Sequence, residues 1–135
     1  MKHSFLKTII LVAVIILSAG CSDEEPFDVV AGQRQMSGSW TCKETSNSSG
    51  DPLTYQIRIS PNGAMGLSIS NYAGLGITAR ADFPDENTLL IPSQDQEGFR
   101  LEGKGTISKY KKMTLTFSYT STTRVDITAD CSKIE

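Results

Sequence analysis

Apolar and polar residues alternate with a period of two through most of the chain after residue 36. Successive side chains of an extended strand point to opposite faces, so this alternation predicts strands with one buried and one exposed face. Residues 113–119 and 125–131 show it most clearly. The residues predicted to face inward are Trp40 and Cys42; Tyr55, Ile57 and Ile59; Met65, Leu67 and Ile69; Ile77, Ala79, Ala81 and Phe83; Leu89 and Ile91; Phe99, Leu101 and Ile107; Met113, Leu115, Phe117 and Tyr119; and Val125, Ile127, Ala129 and Cys131.

Turn-forming residues separate these runs, and no stretch has the period of a helix. The pattern predicts an all-β fold, a single small antiparallel barrel or sandwich of about eight strands in meander order, over residues 37–135. Closure into a barrel is attractive because it removes exposed strand edges. Gly103 and Gly105 fall within a predicted strand, where glycine often marks a bulge or a sharp bend.

The N-terminus has a different pattern. Lys2 and Lys7 precede an apolar run that ends at Leu17, and the small residues Ser18, Ala19 and Gly20 follow. The run is about ten residues long, whereas a permanent membrane helix takes roughly 20. Residues 1–20 are therefore predicted to be an export signal that is removed from the mature protein.

Leu17-Ser18-Ala19-Gly20-Cys21 resembles the lipobox of bacterial lipoproteins. In that family the cysteine thiol carries diacylglycerol and the signal is cleaved before it. The resemblance implies that Cys21 is the site of lipid attachment and that the mature chain is anchored to a membrane through its N-terminus. The alternative is an ordinary secretory signal that a cysteine happens to follow.

The next residues, Ser22-Asp23-Glu24-Glu25, resemble the serine-plus-acidic export signal of Bacteroidota-type surface lipoproteins. That resemblance implies an outer-membrane protein displayed on the cell surface; the alternatives are a periplasm-facing protein and a solvated acidic linker. Pro26, Gly32 and the acidic residues give residues 21–36 no sustained periodicity, so this segment is predicted to be a flexible tether.

Two cysteines remain if lipid occupies Cys21. Cys42 and Cys131 both fall on inward parities, one in the first predicted strand and one in the last. Paired cysteines in an exported domain usually form a disulfide, so a Cys42–Cys131 bridge is predicted. Free buried thiols and a metal-binding pair are the alternatives, and the metal pair lacks companion ligands.

The charge of the mature chain argues against nucleic acid as a partner. Two of the 13 basic residues precede Cys21, whereas all 15 acidic residues follow it, so removal of the signal changes the net charge from −2 to −4. Nucleic-acid-binding domains usually carry a basic patch. The local cluster of Lys109, Lys111 and Lys112 surrounds a predicted turn and is interpreted as a solvated hairpin tip.

Candidate catalytic chemistry is scarce. The only histidine, His3, lies in the predicted signal, so a histidine-based triad and an imidazole metal site are not expected in the mature domain. No spacing singles out two carboxylates as a glycosidase pair. Gly74-Leu75-Gly76 lacks a following helix and is interpreted as a loop rather than a phosphate cradle. We expect no enzyme activity, no cofactor and no metal site.

Gly38-Ser39-Trp40 and the meander order resemble small lipocalin-like lipoproteins, which have a Gly-x-Trp on the first strand. The resemblance covers residues 37–135 and implies a barrel that carries a small apolar ligand. The predicted inner face is mixed, since small residues would leave space and aromatic residues would fill it. Small eight-stranded barrels are often filled by side chains, so little or no interior pocket is expected.

Tyr72 lies in a segment of small residues, residues 71–76, between two predicted strands. It is a candidate ligand contact, because aromatic residues are enriched at binding hot spots; the alternative is that it packs over the barrel end. Three functions follow: a non-catalytic binding or interaction module of the cell envelope, a carrier of a small apolar ligand, and a carboxylate-based hydrolase. The first is favoured, with an envelope protein or a glycan as partner.

Overall fold

Eight strands in chain order form a closed antiparallel barrel in the computed structural model, which describes residues 26–135. The predicted signal, Cys21 and residues 22–25 lie outside the described residues. The strands are β1 (Gly38–Asn47), β2 (Thr54–Asn62), β3 (Gly66–Tyr72), β4 (Ile77–Asp85), β5 (Thr88–Gln96), β6 (Phe99–Ser108), β7 (Lys112–Thr120) and β8 (Arg124–Lys133). The predicted all-β meander of eight strands is confirmed, and it closes as a barrel.

The alternation of the sequence is the reason the wall closes around an apolar interior. Every second residue of β4, from Ile77 to Phe83, is buried, and the residues between them are exposed. The same alternation runs along β8. Met65 is an exception, since it was expected to face inward but is 64% exposed, because the hairpin turn occupies residues 63–65 and β3 begins after it.

The meander gives the barrel two distinct ends. The turns at residues 63–65, 86–87 and 109–111 lie at the end where β1 begins and β8 finishes; we call it the helix end. The connections at residues 48–53, 73–76, 97–98 and 121–123 lie at the opposite end, which we call the loop end.

A helix, α1 (Val29–Met36), covers the helix end. The expectation of a flexible tether up to Met36, with no helix, is therefore wrong for this part of the segment. The Asp28 carboxylate accepts a hydrogen bond from the Ala31 N–H (3.1 Å) and caps the first turn. The buried Gln33 amide donates to the carbonyl oxygens of Gly63 (3.2 Å) and Gly66 (2.7 Å), which fastens α1 to the β2–β3 turn.

The entry into β1 is also fixed from inside the barrel. The indole N–H of Trp40 donates to the carbonyl oxygen of Met36 (2.9 Å), and both residues are fully buried. Trp40 thus ties the last turn of α1 to the first strand, as expected of a core residue. The Phe27 ring, just before α1, packs edge-on against Phe83 with ring centroids 5.1 Å apart.

A disulfide joins the first strand to the last. Cys42 pairs directly with Cys131 in the register of β1 and β8, and both residues are buried. The predicted bridge is confirmed, and it closes the barrel covalently across 89 residues of sequence.

The seam between β4 and β5 is completed by a side chain. Its register pairs Asp82 with Leu90 and Asp85 with Thr88, and it shifts between these two pairs. Towards the loop end, the Gln94 amide bonds to both the N–H and the carbonyl oxygen of Arg80, at 2.8 Å each. The amide of Gln94 therefore takes the place of a peptide group in this part of the wall.

Candidate functional site

The barrel interior is filled by side chains. The internal space near the loop end measures about 10 Å³, which is about the minimum that holds one water molecule. It is bounded by Cys42, Tyr55, Ile57, Ile69, Tyr72, Ala73, Leu115 and Phe117. Gly103 and Gly105 are among the small inward residues that would leave space, but they lie directly against Phe117 and Leu115. The expectation of little interior space agrees with this packing.

Tyr72 belongs to this packed interior and is only 2% exposed. Its hydroxyl donates to the carbonyl oxygen of Ser118 (2.9 Å) and lies 3.1 Å from that of Glu102. Its ring packs edge-on against Phe117 with centroids 5.1 Å apart. Burial raises the pKa of the Tyr72 hydroxyl well above its ordinary value, and the charge of Glu102 adds to the shift. Tyr72 therefore ties β3 to the far wall, and it is not presented on the surface as a ligand contact would be.

Glu44 is a buried carboxylate that the sequence analysis did not single out. It is 4% exposed, and its oxygens accept hydrogen bonds from the Asn47 amide (2.9 Å), the Leu53 N–H (2.8 Å) and the Tyr55 hydroxyl (3.1 Å). Its place two residues after Cys42 was the available signal, because that parity faces inward.

The hydrogen bonds of Glu44 with Asn47, Leu53 and Tyr55 have a structural role. Burial first, and then the charge of Glu44, raise the pKa of the Tyr55 hydroxyl far above its usual range, so Tyr55 remains a neutral donor at physiological pH. By accepting from the Leu53 N–H, the Glu44 carboxylate fastens the connection at residues 48–53 to β1 at the loop end.

An open groove crosses the outer wall from β5 to β8. Its volume is about 420 Å³, and its floor is the backbone of one register row that runs through Ile91, Gly103, Phe117 and Ile127. One side of the groove is the outward row of Leu90, Lys104, Thr116 and Thr128. The other side is the outward row of Glu102, Ser118 and Asp126.

Short side chains keep this groove open. Thr116 and Ser118 stand on β7 at its centre, and neither is long enough to fold across the floor. Gly103 shapes the floor, since its backbone lies so close to Phe117 that a Cβ atom on residue 103 would stand 2.5 Å from the Phe117 Cβ. The strands approach each other sharply at this point, as at a barrel corner.

The polar end of the groove carries a cluster of charges around Arg124. Its guanidinium lies 2.7 Å from a Glu102 carboxylate oxygen and 2.9 Å from one of Asp126. The hydrogen bonds that Arg124 donates to Asp126 and Glu102 raise the pKa of Arg124 above its ordinary value. Because all three side chains are about half exposed, these ion pairs add little stability, but they orient a cation between two anions at the surface. Together with the nearby Ser and Thr hydroxyls, they offer both donors and acceptors to a polar partner.

Residues 26–135 contain no group of three or more His, Cys, Asp or Glu side chains arranged to hold a metal ion. Within the same residues, no helix has both the length and the apolar character needed to cross a membrane.

Comparison with known proteins supports the architecture. A solved structure described as EF1p2_mFAP2b bound to DFHBI matches 79% of this chain and 100% of its own, with 12% identity and a TM-score of 0.57. A redesigned beta barrel, b11L5F_LGL, matches 77% of this chain and 96% of its own, again with 12% identity and a TM-score of 0.57. No family model and no curated protein matches the sequence. At this level of identity the likeness shows the fold alone, a small eight-stranded antiparallel barrel.

Proposed function

We propose that this protein is a non-catalytic recognition module of the cell envelope, which binds its partner on the outside of the barrel. The single observation that carries the proposal is the filled interior. A space of about 10 Å³ does not admit a ligand, whereas the groove on the outer wall offers about 420 Å³. Pockets that bind small molecules usually measure roughly 300 to 1,000 Å³.

The chemistry of the groove indicates a polar partner. Arg124, Glu102 and Asp126 provide opposite charges at one end. Thr116 and Thr128 provide hydroxyl groups along one side, whereas Ser118 is buried. Polypeptides and glycans both present alternating donors and acceptors that suit such a lining. The proposed partner is therefore an envelope protein or a glycan.

The proposed cellular location rests on the N-terminal sequence. Lipid attached at Cys21 would anchor the mature chain to the outer membrane, and residues 22–25 favour display on the cell surface. Two acyl chains provide stable anchoring. Mass spectrometry of the N-terminal peptide, with Cys21→Ser as the unmodified control, tests the anchor, and protease treatment of intact cells tests surface display.

A matched pair of variants tests recognition through the groove. Thr116→Trp places a large side chain in the centre of the groove, and Thr78→Trp makes the same change at an exposed position on β4, away from it. We expect a partner cross-linked to the wild-type protein in solubilised envelope to be retained by Thr78→Trp and lost by Thr116→Trp. A partner that both variants retain would refute the groove as the binding site.

A lipocalin-like carrier of a small apolar ligand is the second candidate. It is favoured by the overall shape, since one similar barrel is described as bound to a small molecule, DFHBI. It requires the interior to open. Isothermal titration with oleate separates the two: stoichiometric binding would favour the carrier, and the absence of heat favours recognition on the outer surface.

A further inference from the structure

The exposed large apolar side chains of the described residues are unevenly distributed. Val30, Met65 and Ile134 all lie at the helix end, where they are 56%, 64% and 43% exposed. Leu53 lies at the loop end and Leu90 on the wall. Three of the five exposed large apolar side chains of the described residues therefore lie at one end, and apolar groups concentrated on one face of a protein often mark a contact surface.

The outer face of α1 belongs to this end. Gly32, Gln33 and Met36 are the buried face of the helix, so Val30 and Arg34, one turn apart, point away from the barrel. No acidic residue lies within α1. The hydrogen bonds of Gln33 and Trp40 hold this face in place, so it is a fixed surface.

The surrounding charges are nearly balanced. The cations at this end are Arg34, Lys109, Lys111, Lys112 and Lys133, and the anions are Asp28, Asp85, Glu86 and Glu135. Such a rim produces no strong field of either sign, so a highly charged partner has no preferred attraction to it. Long lysine side chains around apolar groups suit the interface of a lipid bilayer, since their stems lie along apolar surface while their ammonium groups reach water.

The predicted anchor places a bilayer within reach of this end. Asp28, which caps α1, is only seven residues from Cys21. Seven residues span at most about 25 Å when fully extended. The helix end is thus the part of the barrel that stays closest to the attached lipid.

We propose that the helix end rests on the lipid surface, with Val30, Met65 and Ile134 at the level of the headgroups. The inference rests on the proposed acylation of Cys21 and deepens it, because it names the face that meets the membrane. The bilayer contact orients the barrel, and it leaves the loop end pointing away from the membrane.

Oxidation of methionine offers a direct test. Met65 is 64% exposed, whereas Met36 and Met113 are buried and serve as unreactive references. The variant Leu53→Met places a second exposed methionine at the loop end, where Leu53 is 53% exposed. The acylated protein is inserted into preformed phosphatidylcholine vesicles and treated with chloramine-T, a charged oxidant that does not cross the bilayer.

We expect the methionine at position 53 to be oxidised at least about five-fold faster than Met65, because oxidation follows exposure. In the Leu53→Met protein, the further change Val30→Asp should bring the oxidation rates at positions 53 and 65 close together, since it places a charge on the proposed contact face. Thr78→Asp, on the wall, should leave the difference unchanged.

Equal oxidation rates at the two positions on vesicles would overturn the inference. Persistence of the full difference in Val30→Asp would also overturn it, because Met65 would then be shielded by something other than the bilayer. Mass spectrometry on the same sample reports the state of Cys21. An unmodified Cys21 refutes the proposed anchor and this inference together, whereas an acylated Cys21 with equal rates refutes the inference alone.

Discussion

Substitution of Gly103 by alanine tests whether the close approach of β6 and β7 shapes the barrel wall. A Cβ atom added at residue 103 would stand 2.5 Å from the Phe117 Cβ, 2.8 Å from the Phe117 Cα and 2.9 Å from the Thr116 carbonyl oxygen. Carbon atoms prefer separations of about 3.5 to 4.0 Å, so β6 and β7 would have to separate by roughly 1 Å. The obstacle is mostly backbone, which no side-chain rotation relieves.

We expect Gly103→Ala to lower the free energy of unfolding by about 2 kcal/mol, the upper end of the overpacking cost less the gain in the unfolded chain. Overpacking costs about 1 to 3 kcal/mol and here meets rigid backbone, while the lower conformational entropy of the unfolded alanine chain returns about 0.5 to 1 kcal/mol. Gly103 does not have a positive φ, so the loss would come from the contact and not from backbone strain.

Gly105→Ala is the matched control, two residues along the same strand and on the same face. The added Cβ would meet Leu115 Cδ2 at 2.8 Å and Met113 Sδ at 3.3 Å, both at the ends of flexible side chains. We expect its stability to stay within about 1 kcal/mol of the wild-type value. Urea unfolding followed by circular dichroism measures both variants. Equal losses, or no loss in Gly103→Ala, would refute the reasoning.

Three further predictions concern the bridge, the helix and the buried tyrosine. Replacing Cys42 and Cys131 with alanine should cost about 4 to 5 kcal/mol on the chain-entropy model, measured by urea unfolding; a loss below about 1 kcal/mol would contradict it. Gln33→Ala removes two hydrogen bonds and should cost about 1 to 3 kcal/mol, seen as faster amide exchange across α1, and unchanged exchange would contradict the fastening role. Because the pKa of Tyr72 is raised in the folded protein, the unfolded chain loses this proton first as the pH rises above 10, the ordinary tyrosine pKa. The free energy of unfolding is unaffected by this proton below pH 10 and falls above it by about 1.4 kcal/mol per pH unit. Between pH 9 and 11 the free energy of unfolding should fall less steeply with pH in Tyr72→Phe than in the wild type. Equal slopes would contradict the raised pKa of Tyr72.

Much of the wall was predictable because strand periodicity records which face is buried. The residues from Val125 to Cys131 alternate without interruption, and β8 has the corresponding burial pattern. A Cys42–Cys131 pair could be predicted because both cysteines face inward and a closed meander makes the first and last strands neighbours; the register that sets them opposite is seen only in the structure.

The helix was not predictable from periodicity, because α1 owes its position to tertiary contacts. Its buried residues are Gly32, Gln33 and Met36, and only Met36 is a large apolar residue. Gln33 is buried because two carbonyl oxygens of the β2–β3 hairpin accept its hydrogens. Asp28 was the signal available in the sequence, since aspartate is a preferred helix N-cap.

Tyr72 packs in the interior at the loop end, in agreement with the alternative of packing over the barrel end, and a bulge gives its side chain the inward direction. The register of β3 and β4 shifts between Ser70 and Tyr72, and Asn71 has a φ of 59° at that point. The shift moves Tyr72 to the inner face, where simple alternation from Ile69 would have placed residue 71. Bulges add one residue to a strand, so every later assignment changes face. The groove could not be predicted either, because its floor is a row of residues from four strands that become neighbours only in the register of the assembled barrel.

The covalent link between Cys42 and Cys131 changes what a protease can achieve against this protein. A single cut at any peptide bond between these residues yields two fragments, one with the N-terminus and one with Cys131, and the bridge still holds them together. Cleavage at an exposed connection such as residues 121–123 would thus nick the chain without shedding either piece. Release requires either two cuts or a reductant that reaches the buried sulfur atoms.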